Sequence, residues 1–330
     1  MKKVFRFILL LFLLLAIVYV FGPAPEKPVY EKTLPSITMP VAEYVKEIEA
    51  QHKIKPGNAA EIIWANDSLK QKTEYAIVYL HGFSASKEEG NPVHKNIAKE
   101  FGCNLYLSRL AEHGLDTTEA LINLTAEKYW ESVKQALAIG KQLGNKVILM
   151  GTSTGGTNAL QLAAAYPNDV YALLLLSPNI EVNNPNAWIA NNHWGLQIGR
   201  LVMKGNYVNS KDQRDIYKNY WYSHYRLEGV SALQEMLETS MTKETFEKVK
   251  QPVLLLYYYK DAIHQDSVVR VDAMLKMFDE LGSTAKRKQA MPNTGDHVLG
   301  SYIKSHDVAG VQKEIEKFMT ETLGLQPVVQ

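Results

Sequence analysis

The chain has 330 residues, 46% of them hydrophobic, and a formal net charge of +1. That apolar share supports a sizeable core, and the near-zero charge, with no Lys/Arg run in the body, excludes nucleic acid as a partner. A single cysteine, Cys103, excludes an internal disulfide and a thiolate metal site, and without an H-E-x-x-H pairing metal-assisted hydrolysis has no home.

At the N-terminus Lys2, Lys3 and Arg6 precede an uncharged apolar run, Phe7 to Phe21, followed by Gly22-Pro23-Ala24-Pro25. Residues 1–22 therefore read as a membrane anchor or signal segment. Pro25 just after the small-residue site Gly22 to Ala24 disfavours cleavage, so the expectation is an uncleaved helix with its basic end in the cytoplasm. The catalytic body would then be extracytoplasmic, in the periplasm or at the cell surface. Secretion after cleavage is the alternative. Residues 23–40, with Pro23, Pro25, Pro28, Pro35 and Pro40, form an extended linker to a body spanning 41–330.

Val41 to Ile54 has the spacing of a short amphipathic helix, after which strands and helices alternate. Strands are expected at Glu61 to Ala65, Tyr75 to Leu80, Asn104 to Leu107, Val147 to Met150, Val170 to Leu176, Pro252 to Tyr259 and Lys286 to Met291. Helices are expected at Val93 to Phe101, Ala126 to Leu143 (stopped by Gly144), Gly156 to Tyr166, Val269 to Leu281 and Val308 to Leu323. This alternation predicts an α/β protein with a doubly wound, mostly parallel sheet. Residues 181–250 break the rhythm: they carry eight Trp and Tyr residues from Trp188 to Tyr225, helix-like pieces and no strand. They are read as a helical, aromatic-rich cap inserted over the strand ends, where open α/β sheets bind ligands.

Gly151-Thr152-Ser153-Thr154-Gly155 follows one of these strands and opens a helix. A serine on such a turn is displayed at the sheet edge in a strained conformation, and the glycines keep side chains out of the strand–helix crossing. Its hydroxyl needs a base. Among nine histidines, His297 in Pro-Asn-Thr-Gly-Asp-His lies after the last strand, at the same sheet edge as the turn. His193, His224 and His306 fall in the cap or near the closing helix, while His52 and His94 read as helix-surface residues. The base in turn needs a carboxylate. Asp266, ahead of Val268-Val269, suits that role, and Asp261 is the alternative acid, with the other one a turn-former or helix cap. The backbone N–H groups of Phe83, in His81-Gly82-Phe83, and of Thr154 would make the oxyanion hole. His81 itself reads as structural, and Cys103 as a small buried core residue.

From about Tyr75 onward the chain resembles the α/β-hydrolase superfamily and is most similar to its monoglyceride-lipase and carboxylesterase branch. The resemblance rests on His81-Gly82-Phe83, Leu110-Ala111-Glu112-His113-Gly114, the Ser153 pentapeptide, Asp266-Ser267-Val268-Val269 and Gly295-Asp296-His297. It implies an acyl-enzyme on Ser153 resolved by His297 and water, with no metal or organic cofactor. The stretch between the penultimate strand and Asp266 is longer than the family pattern. The expected function is a serine hydrolase of carboxylic esters, taking small-molecule or lipid esters and attached to a membrane through the N-terminal helix. A peptidase, thioesterase or acyltransferase of the same fold, or a non-catalytic binding protein, are the alternatives.

Overall fold

In the computed structural model the elements run, in chain order, α1 (Lys2–Val20), α2 (Val41–Ala50), β1 (Glu61–Ile63), β2 (Thr73–Leu80), α3 (Val93–Glu100), β3 (Asn104–Leu107), α4 (Ala126–Leu143), β4 (Gly144–Thr152), α5 (Thr154–Ala165) and β5 (Val170–Leu176). Then come α6 (Gly195–Met203), β6 (Tyr207–Asn209), α7 (Asp215–Tyr220), β7 (His224–Arg226), α8 (Leu227–Ser240) and α9 (Lys243–Lys248). The chain closes with β8 (Val253–Tyr257), α10 (Val271–Glu280), β9 (Lys286–Ala290) and α11 (Val308–Glu321). The structure describes residues 2–328, so Met1, at the start of the expected anchor, and Val329 and Gln330, at the end of the body, lie outside the described residues.

The main sheet has seven strands in the order β1-β3-β2-β4-β5-β8-β9, all parallel except β1, which runs antiparallel to β3. The continuous apolar runs in β2, β4, β5 and β8 follow from cover on both faces. Alternate side chains of these strands feed two cores. Val78, Leu80, Leu149, Leu173, Leu175 and Leu255 face one, packed with residues of α4, α5, α8 and α10. Ile77, Tyr79, Ile148, Met150, Leu174 and Leu256 face the other, packed with residues of α3 and α11. Each fully buried leucine in this set contributes about 2 kcal/mol of hydrophobic stabilisation.

Helix α4 ends at Leu143, as expected from Gly144, which is extended at φ −145° and ψ 155° and begins β4 directly; a Cβ there would strike the backbone of Tyr75 and Ala76. Three local expectations need correction. The segment between β5 and β8 is not strand-free: β6 and β7 form a small antiparallel pair. His94 is fully buried against Tyr79 and hydrogen-bonds the Lys87 carbonyl, with burial pushing its pKa down to about 3. The proline-rich stretch between α1 and α2 is extended but does not stand free. It is strapped along α4 and α5: the Trp130 indole donates to Glu31 O at 2.6 Å, the buried Lys134 ammonium to Thr33 O at 3.0 Å, and the Tyr166 hydroxyl to Lys32 O at 2.8 Å.

Helix α1 buries none of its residues, and its length and apolar composition are sufficient to cross a membrane. Its C-terminal end meets the segment between β5 and α6. Trp194 donates its indole N–H to Val18 O at 2.9 Å and its backbone N–H to Pro23 O at 2.7 Å, while His193 Nδ1 donates to Gly22 O.

Candidate active site

Ser153 sits between β4 and α5 at φ 54° and ψ −120°, a left-handed conformation that an L residue holds only where its surroundings over-determine it. Here they do. Ser153 N donates to Leu176 O at 2.9 Å, and Ser153 O accepts from Gly156 N at 2.9 Å and Asn179 N at 3.0 Å. The flanking glycines let this turn approach β2, since a side chain on Gly155 would run into the Leu80 carbonyl. Helix α5 begins at Thr154, so the amide of that residue lies at the positive end of the helix.

His297 lies in the loop between β9 and α11, and its Nδ1 is 2.6 Å from Asp266 Oδ2. Both side chains are buried, and Asp266 Oδ1 accepts from the N–H groups of Val268 at 2.8 Å and Val269 at 3.1 Å. Burial pushes the Asp266 carboxyl up, but the facing imidazole and these hydrogen bonds outweigh it and leave the carboxyl below its ordinary value. The converse holds for His297: burial depresses it, and the opposed carboxylate outweighs burial and raises it. His297 Nε2 is buried without a hydrogen-bond partner among the described residues. Ser153 and His297 line one cavity of about 540 Å³, but no hydrogen bond joins them in this structure. The cavity therefore brings together a made acid–base pair and an unmade serine–base contact, as apo sites commonly do.

Asp261 stands elsewhere. It is exposed, accepts from the backbone N–H groups of Ile263 and His264, and pairs with the His264 ring at 2.9 Å. The long stretch after β8 is a local excursion. Tyr259 bridges to Gln265, and Asp266 N donates to Tyr258 O at 3.2 Å, so the chain returns to the strand end before presenting Asp266.

The turn after β2 is locked by two neutral histidines. His81 Nε2 accepts from Leu110 N at 3.0 Å, while its Nδ1 meets Gly82 O at 2.9 Å. His113 Nε2 accepts from Ser84 N at 3.0 Å, with its Nδ1 at 2.7 Å from Ala111 O. Burial pushes His81 down to about 4 and His113 further, so neither carries charge at neutral pH. The N–H groups of Phe83 and Thr154 meet no acceptor among the described residues. The segment between β5 and β8 supplies Tyr217, Trp221, Tyr225 and Leu233 to the cavity wall.

Sequence reading missed one group at this site. Glu89, in Lys87-Glu88-Glu89, belongs to none of the motifs read from the sequence, yet it is buried and lines the cavity beside Ser153 and His297. Cys103 is remote and buried, with its thiol pushed up to about 12 by burial. Among the described residues no three His, Cys, Asp or Glu side chains gather as a metal-holding group.

A family model described as serine aminopeptidase, S33, matches residues 76–299. Among solved structures, one from work on LipS and LipT, two metagenome-derived lipolytic enzymes, superposes with a TM-score of 0.65 at 16% identity, covering 82% of this chain and 100% of that one. A soluble variant of monoglyceride lipase from Saccharomyces cerevisiae, bound to a substrate analogue, gives 0.59 at 13% identity, covering 91% of this chain and 99% of that one. The monoacylglycerol lipase of Paleococcus ferrophilus gives 0.57 at 13%, covering 80% and 98%. At these identities the likeness is one of fold. Comparison by sequence with curated proteins finds no match. With a family model matched over more than half its length, the chain belongs to the serine aminopeptidase S33 family of α/β-hydrolases and is similar in fold to monoglyceride lipases and esterases.

Proposed function

We propose that this protein is a serine hydrolase of carboxylic esters that works through an acyl-enzyme on Ser153. The observation that carries the reading is the buried Asp266–His297 pair at 2.6 Å, with the free Nε2 in the cavity that Ser153 lines. Ser153 Oγ attacks the ester carbonyl carbon and its proton passes to His297 Nε2. Asp266 holds the Nδ1 proton and stabilises the imidazolium. The carbonyl oxygen, now an anion, takes hydrogen bonds from the N–H groups of Phe83 and Thr154. Collapse of this intermediate expels the alcohol, which leaves with the proton from His297. Water, deprotonated by the same imidazole, then releases the acid and restores Ser153. Asp261 has no part in this scheme. The reaction as written needs no cofactor.

The wall of Phe83, Tyr217, Trp221, Tyr225 and Leu233 favours an apolar acyl group, which extends the reading to small-molecule or lipid esters. Residues 181–250 act in it as a cap on a body spanning 41–330. Residues 1–22 serve as a membrane anchor that leaves the body extracytoplasmic, with secretion after cleavage as the alternative fate.

A second reading, hydrolysis of an amide at an amino-terminal residue, is favoured by the family description alone. One experiment separates the outcomes. The full chain is treated with a fluorophosphonate probe and assayed on p-nitrophenyl butyrate, p-nitrophenyl palmitate and aminoacyl p-nitroanilides. Labelling that disappears in Ser153→Ala, with turnover confined to the esters, is the expected result. Turnover of the anilides alone replaces the ester reading with the amide one, and absence of labelling removes both.

A further inference from the structure

Glu89 lies on the 3-10 turn Lys87–Gly90, which follows the His81–Phe83 turn, and only 2% of its surface is exposed. An acid so deep costs several kcal/mol unless it is hydrogen-bonded or neutral. One of its oxygens accepts the Gly82 N–H. The point where a Cβ on Gly82 would stand is 2.8 Å and 3.0 Å from the two Glu89 oxygens and 3.0 Å from Ser153 Cβ. The Glu89 carboxyl and the Ser153 side chain therefore both border Gly82, and no side chain fits there between them.

The groups facing Glu89 come from every element around it. The loop after β9 contributes His297 and Asp296, the latter bridged to Lys304 at 3.2 Å. The β5–β8 segment contributes Trp221 and Tyr217, β2 contributes Tyr79, and α4 contributes Tyr129. On its own turn, Glu88 is occupied by the Asn91 amide at 2.7 Å. Burial, helped by Asp296 and only partly offset by the Gly82 N–H and His297, leaves Glu89 raised to about 8. In the other direction, charge on Glu89 raises His297.

The backbone gives this contact a purpose. Gly82 O is held by the His81 ring at 2.9 Å and by Ala85 N at 3.3 Å. In a trans peptide the carbonyl and the following N–H point in opposite directions, so Phe83 N–H is turned away from these partners. Glu89 holds the preceding peptide plane, through Gly82 N–H, so the glycine about which the Phe83 plane turns is anchored on both sides.

We propose that Glu89 is a positioning residue for the Ser153 reaction: it clamps Gly82 so that the Phe83 amide meets the oxyanion. This rests on the serine-hydrolase reading above. The test uses the full chain, p-nitrophenyl butyrate, and the variants Glu89→Ala, Glu89→Gln and Glu88→Gln. Glu89→Ala removes the acceptor for Gly82 and should lower kcat on the order of tenfold or more with KM nearly unchanged, because oxyanion donors act on the transition state. Glu89→Gln keeps an acceptor oxygen and should restore most of that loss. Glu88→Gln should change neither kcat nor KM.

Unchanged kcat in Glu89→Ala overturns the proposal. So does a Glu89→Gln enzyme as slow as Glu89→Ala, which would leave Glu89 a packing residue. If Glu89→Ala does not fold, Glu89→Met, which fills the space without an acceptor oxygen, takes its place in the comparison with Glu89→Gln. Fluorophosphonate labelling of the unsubstituted chain keeps the two readings apart: no labelling sinks the serine reading, whereas labelling with the wrong Glu89 behaviour sinks only this one.

Discussion

The carboxylate of Asp266 meets Nδ1 of His297 across 31 positions of sequence. Two returns of the chain make this possible. The excursion after β8 folds back so that Asp266 N reaches Tyr258 O, and the loop after β9 carries His297 to the same end of the sheet. The extra residues before Asp266 add length without moving the acid away from the base.

Replacing either acid tests which one matters. Asp266→Asn leaves the shape but removes the anion that fixes the imidazole tautomer, and kcat/KM on p-nitrophenyl butyrate should fall by about 10⁴-fold. Asp261→Asn loosens an exposed turn and should stay within about twofold of the parent, as expected for a surface change. The reverse ranking would transfer the acid role to Asp261.

The acid limb of the rate profile should reflect the same pair. His297 acts as base only when neutral, and Asp266 raises its affinity for a proton. Activity should therefore be lost, as pH falls, at a midpoint above the ordinary imidazole value of about 6.5. In Asp266→Asn the largest raising partner is gone and burial weighs more, so the residual activity should titrate at a lower pH. A kcat/KM profile of both proteins, with a midpoint that does not move, would contradict this.

Ser153 stores strain in its turn. Its φ of 54° suits glycine, and a residue held in such a region costs on the order of 1–3 kcal/mol. Ser153→Ala keeps the strain and Ser153→Gly releases it. Both should fail to label, yet the glycine variant should melt higher than the alanine one in a thermal scan. Equal melting temperatures would mean that the turn relaxes on losing its hydroxyl.

The strap over α4 should affect stability and leave turnover alone. Trp130→Phe keeps an aromatic ring in the core but deletes the indole donor to Glu31 O. The loss of one buried hydrogen bond predicts a destabilisation of about 1–2 kcal/mol by urea titration, with kcat unchanged. A change in kcat larger than the change in folded fraction would show that the strap communicates with the cavity.

The alternation of apolar runs and helical spacing was enough to place the seven strands of the main sheet and the helices between them, with boundaries within a few residues. This works because a doubly covered sheet demands uninterrupted Val, Ile and Leu in β2, β4, β5 and β8. The Ser153 turn was legible for a related reason: a turn that brings a helix against a strand excludes side chains at Gly151 and Gly155. What stayed hidden depends on contacts distant in sequence. β6 and β7 have three residues each, too few to show a period of two, and are joined only by their own pairing. Glu89 and His94 carry polar side chains at positions that local pattern assigns to solvent. Only the packing of Gly82, Ser153 and His297 around the first, and of Tyr79 against the second, makes them interior. The proline run gave an extended path but not its seat, which is set by Trp130, Lys134 and Tyr166 far along the chain.

The grip of Trp194 on the end of α1 ties the hydrophobic leader to the same excursion that lends Tyr217, Trp221 and Tyr225 to the cavity. A sideways pull on that leader would first be felt at Trp194 and then by the aromatic roof, before it reached the sheet. The leader and the cavity wall are thus parts of one connected path, joined at a single indole ring.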